Sequence, residues 1–126
     1  MAVVATIIPL NKFRSIAKTL STANTLIYET PAGVSSIILS AACSNKAVTE
    51  TNVTVILQKP LSANTSADFT IVPSMTIPPN DVLSATSGRL VLEYSVDFSQ
   101  GDKIIAYASA NNAVDFIISM NEAANE

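Results

Sequence analysis

Glu93, Asp97, Asp102 and Asp115 come closest to a reactive set by type and spacing. Converging carboxylates can divide acid and base roles between them or hold a hard cation. Here they fall at strand positions and in turns that face solvent, and no aspartate-rich calcium loop accompanies them. Histidine is absent, which removes the commonest general base and the commonest metal ligand. With a single cysteine, the usual zinc sites are also excluded. The three glycines, Gly33, Gly88 and Gly101, stand at separate turn signals and form no phosphate-cradling loop. The chain is therefore expected to be non-enzymatic, with no catalytic, cofactor-binding or metal residues and no small-molecule substrate.

Tyr28, Tyr94 and Tyr107 could line a sugar site, but without tryptophan, and alternating among apolar neighbours, they read better as packing residues. Cys43 closes the apolar run Ile37-Ile38-Leu39-Ser40-Ala41-Ala42 and has no basic neighbour to activate it, so a small buried hydrophobe is expected. Two Asn-X-Ser/Thr triplets, at Asn52 and Asn64, are read as chance matches.

The elements that would position these residues are short. Asn52–Lys59 alternates, with Val53, Val55 and Leu57 on one side and Asn52, Thr54 and Gln58 on the other, broken by Ile56. Leu90, Leu92, Tyr94, Val96 and Phe98 share a face, as do Val114, Phe116, Ile118 and Met120. Ser35–Cys43 is nearly continuously apolar, the pattern of a strand covered on both faces. Phe69–Val72 and Met75–Ile77 flank Pro73, which suits edges or strand ends. Lys12–Leu20 fits either an extended segment or one short helix. Turn signals at Pro31-Ala32-Gly33, Asn80-Asp81, Ser87-Gly88 and Gln100-Gly101-Asp102 separate the runs. Eight or nine short strands at even spacing predict an all-β, antiparallel β-sandwich, Ig-like or jelly-roll-like, with Val55, Leu57, Leu92, Val114, Phe116 and Ile118 in its core.

Only 13% of the residues are charged against 48% hydrophobic, and mean hydropathy is +0.38. Ser, Thr and Asn supply the polar surface. Such a surface suits burial between subunits, because charges are costly to desolvate at an interface. No apolar stretch approaches a membrane span, and the apolar run Ala2–Leu10 lacks a basic residue before it, so neither a transmembrane segment nor a signal peptide is expected. Residues 1–22 carry Lys12, Arg14 and Lys18 and no acid, whereas residues 23–126 hold four basic and ten acidic residues. The acidic body makes nucleic acid a poor partner. The division expected is an N-terminal arm over 1–22, a sandwich domain over 23–120 and a flexible tail over 121–126. Within the arm, Val3, Val4, Ile7, Ile8, Lys12, Arg14 and Lys18 are the candidate contacts with a neighbouring subunit; the competing possibility is an ordinary first strand of the same subunit.

Several segments also resemble one family. Thr25–Gly33 is similar to the TLYTVPAG strand-turn of small structural proteins of tailed-bacteriophage virions, and Ser36–Asn45 and Thr54–Leu57 to the strands that follow it. Ile77-Pro78-Pro79-Asn80-Asp81-Val82-Leu83 resembles its proline turn, with Asn80 in place of the usual glycine. Leu90–Leu92, Gly101–Ile104 and Ala113–Ser119 match its ending. The resemblance spans about residues 24–120. It implies a multi-copy virion protein of the neck, tail or head, made in the host cytoplasm, whose partners are copies of itself and other virion proteins. A capsid decoration protein or a glycan-binding module of a tail fibre is the alternative.

Overall fold

A computed structural model describes residues 11–85 and 89–124. The described residues are all-β and form ten strands: β1 (Lys12–Thr19), β2 (Thr25–Glu29), β3 (Val34–Asn45), β4 (Thr51–Pro60), β5 (Ser66–Ile77), β6 (Val82–Ser84), β7 (Leu90–Ser95), β8 (Gln100–Gly101), β9 (Lys103–Ala108) and β10 (Val114–Ala124). One sheet runs β1-β10-β3-β7-β8, with β6 also on β3; the other runs β2-β9-β4-β5. Every pairing is antiparallel. β6 lies along Ala42–Ser44 and β7 along Ser35–Ile38, so together they form one interrupted edge strand. Counted that way, the orders 1-10-3-(6,7) and 2-9-4-5 are those of a jelly roll, which resolves the two sandwich types expected.

The alternating residues make the core. Leu92, Val114, Phe116, Ile118 and Val55 are buried, and Leu57 is half-buried against them. Period two is reset once in β3. Ser119 pairs with Ser40 and Met120 with Ile38, so Leu39 is an extra residue, a bulge, and Leu39 and Ser40 both face outwards. The two runs flanking Pro73 are one strand, β5, at the edge of its sheet. The pairing with β4 slips there, where Ser74 adopts a φ of 49°. Asn80 also has a positive φ, 57°, which explains how it stands where glycine is usual, since asparagine tolerates the left-handed region. The alternation over Leu90–Phe98 stops early: β7 ends at Ser95, and Val96 is exposed in the turn to β8.

Two polar anchors and one close backbone approach tie the loops. Buried Asn45 donates through Nδ2 to the carbonyls of Thr49, Ile77 and Pro78, and accepts from the Ala47 amide through Oδ1. Buried Asp102 takes the Lys59 ammonium at 2.6 Å and the Glu93 amide at 3.0 Å. Gly101 lies against Thr30 so closely that a Cβ there would stand 2.0 Å from the Thr30 carbonyl oxygen.

Candidate assembly surfaces

The residues expected to form an N-terminal arm divide in two. Val3, Val4, Ile7 and Ile8 lie outside the described residues. Lys12, Arg14 and Lys18 stand on β1, which pairs along its whole length with β10 of the same chain. Residues 12–20 are thus built into their own sandwich rather than held apart from it, and Leu20 is buried. The strand has two unlike sides. Phe13, Ser15, Ala17 and Thr19 face outwards; Lys12, Arg14, Ile16 and Lys18 face the gap between the sheets. At an edge, long basic side chains can bury their stems and still find polar partners. Arg14 reaches Glu122 at 3.2 Å, and the Lys18 ammonium donates to the Leu26 carbonyl of β2 at 2.8 Å.

Glu122 is the centre of that edge. It is buried, although it falls within the tail expected over 121–126. β10 in fact continues to Ala124, because Asn121 and Glu122 have strand partners on both sides, in β1 and β3. The Tyr28 hydroxyl donates to Glu122 Oε2 at 2.6 Å and lies 2.5 Å from the Ser36 hydroxyl, while the Arg14 guanidinium sits 5.8 Å from the Tyr28 ring centre. Burial and the adjacent carboxylate both push the Tyr28 hydroxyl well above the usual phenol range. This network joins β1, β2, β3 and β10 and so fastens both sheets and the first strand.

The remaining candidates do not converge. Asp102 is held by Lys59, while Asp115 lies towards the other end of the sandwich, bound by Thr19 at 2.7 Å and Lys46 at 3.2 Å. The Thr19 hydroxyl above all holds the Asp115 carboxyl below the usual range, against the opposing effect of burial and with help from Lys46. Among the described residues, no group of three or more side chains is placed to hold a metal ion. Tyr28 points into the core, whereas Tyr107 lies on the outer face of the second sheet, beside Thr54. Cys43 is fully buried, and burial pushes its thiol up to about 12.

An unanticipated feature is the outer face of the first sheet. Phe13, Ile37, Leu39, Val91 and Ile117 are all exposed there. The pairings set Phe13 beside Asn121, Ile37 and Val91 in one row, and Ala17 beside Ile117 and Ala42 in another. The carboxylates of this face, Asp115 and Glu93, lie towards its two ends, level with Ser44 and Ser35. The opposite sheet differs, with Glu29, Lys103, Gln58 and Asp68 in one polar row. The signal in the sequence was the unbroken apolar run of β3. That run predicts cover on both faces, and the described residues cover only one.

No family model matches the chain, and no curated protein matches it. A solved structure does resemble it: a protein from a study titled "Bacillus endospore appendages form a novel family of disulfide-linked pili", with a TM-score of 0.50 at 10% identity, over 93% of this chain and 88% of that one. At that identity the likeness is one of fold.

Proposed function

We propose that the chain is a structural, non-enzymatic subunit that assembles with copies of itself. One observation carries this reading. The first sheet buries apolar residues on its inner face and also exposes Phe13, Ile37, Leu39, Val91 and Ile117 on its outer face, with the carboxylates Asp115 and Glu93 towards the two ends. Exposed apolar patches of this kind mark association surfaces, and a second copy presents the same rows of exposed apolar side chains. The apolar segment 1–10 is the second contact, suited by its composition to add main-chain hydrogen bonds to a neighbour. The pilus-forming fold neighbour supports self-association into a polymer. Its title describes disulfide links, however, and the one cysteine here is sealed in the core, so contacts between copies of this chain are non-covalent.

The test is Ile117→Lys, which places a charge in the middle of the open face at an exposed position. The variant should unfold at the same denaturant concentration as wild type yet sediment as smaller species. Unchanged assembly would remove the face from the interface. A second reading places the assembly in a phage virion, supported by the order of virion-like motifs from Thr25 to Ser119. Electron microscopy of native particles labelled with an antibody to the chain distinguishes a virion from a free filament.

A further inference from the structure

On the side of the sandwich away from β1, the edges of the two sheets leave a groove of about 280 Å³ between β5 and β6. Its walls are Ile71, Val72, Pro73, Met75, Leu83 and Ala85, with Ser84 the one polar side chain. We infer that this groove receives the apolar segment around Val3–Ile8 of another copy. This rests on the reading that the chain self-assembles, and adds to it the acceptor and the direction of assembly.

The argument is one of composition and reach. Residues 1–11 contain no charged side chain and five branched apolar ones, Val3, Val4, Ile7, Ile8 and Leu10. The cleft on the near side, between β1 and β2, is lined in part by Arg14, Lys18 and Glu29 and so suits that segment poorly. The β5–β6 groove offers it an apolar wall. Ile7 and Ile8 of the same copy cannot reach it. Lys12 is level with Ser36 of β3 through Glu122, and Leu83 pairs with Cys43. Seven residues of strand correspond to about 23 Å, and three strand spacings add about 14 Å across, so Lys12 and Leu83 are about 27 Å apart. Ile7 and Ile8, five and four residues before Lys12, extend no further than about 17 Å from it. β1 begins at one end of the sandwich and the groove opens towards the other. A copy stacked end to end brings them together without that detour. Such a contact is heterologous, so it propagates into a filament or closes into a ring.

Disulfide trapping in the full chain tests this, with Cys43 left in its buried place. Ile7→Cys is combined with Met75→Cys in the groove or, as a control, with Leu26→Cys in the near-side cleft; Met75 and Leu26 are both exposed, so either exchange is tolerated. Mild oxidation of the assembled protein should convert the Ile7/Met75 pair into a ladder of covalent multimers on non-reducing gels and leave the Ile7/Leu26 pair largely monomeric. A ladder from Ile7/Leu26 alone, or loss of free thiols in Ile7/Met75 without multimers, would overturn the acceptor while leaving self-assembly intact. Wild-type protein with no assembled species would overturn both.

Discussion

Phenylalanine-to-alanine exchange at two positions separates folding from assembly. Phe116, on β10, is 0% exposed in the middle of the core; Phe13, on the neighbouring strand β1, is 74% exposed on the open face. Removing a fully buried phenyl ring costs the transfer free energy of the ring plus that of the cavity left behind, about 3–5 kcal/mol. Against a typical total of about 5–15 kcal/mol, that is a large fraction of the fold's stability. With a urea slope of about 1–3 kcal/mol per molar, the Phe116→Ala midpoint should fall by roughly 1–5 M. Phe13→Ala removes the same atoms from a site already in water, so its midpoint should move by less than the equivalent of about 0.5 kcal/mol. Its effect should instead be weaker association at a given concentration. Urea unfolding followed by far-ultraviolet circular dichroism, at a concentration where both variants are dispersed, gives the midpoints; sedimentation gives the association. A Phe116→Ala midpoint within the equivalent of 1 kcal/mol of wild type would refute the core assignment, and a Phe13→Ala variant that loses as much stability as Phe116→Ala would refute the open face.

Gly101→Ala should lower stability by at least about 1–3 kcal/mol, because the new methyl meets the Thr30 backbone rather than a side chain that could swing away; thermal unfolding measures it. Asn45→Ala should cost about 2 kcal/mol or more by stripping three carbonyls of a donor where the loops meet, and hydrogen exchange should show faster opening at Thr49–Thr51 and Ile77–Asp81. The Cys43 thiol keeps its proton in the fold to about pH 12, whereas an unfolded thiol ionises near 8.5, so its contribution to stability is complete below about pH 8.5 and is lost as pH rises towards 12. Cys43→Ala should flatten that alkaline decline, and thiol reagents should label wild type only on unfolding. The Asp115 carboxyl is depressed first by the Thr19 hydroxyl, so its stabilisation is present above the ordinary aspartate range and lost as pH falls through its folded value; Thr19→Val should raise its titration midpoint, read by NMR.

The sandwich was legible wherever an inward face alternated with a polar outward one, as in β4 and β10. It was obscured where a strand serves two environments. β1 alternates, but its inward positions carry Lys12, Arg14 and Lys18, which an edge permits because their heads reach the Leu26 carbonyl, Glu122 or water. A charge-based reading therefore took the strand for an arm. Glu122 looked like part of a frayed tail because its partners, Tyr28 and Arg14, are about a hundred residues away in sequence. The open face was hidden for a related reason: the β3 sequence states that both sides are apolar, but not whether the second cover comes from the same chain.

Sedimentation velocity of the purified full chain in excess reductant, over a range of concentrations, bears most directly on the claim that it is a self-assembling, non-covalent subunit. The account predicts species many times the 13.2 kDa chain mass, undiminished by reductant and dispersed by Ile117→Lys. A single species at the mass of one chain across the whole range, or large species that collapse to it when reductant is added, would contradict it.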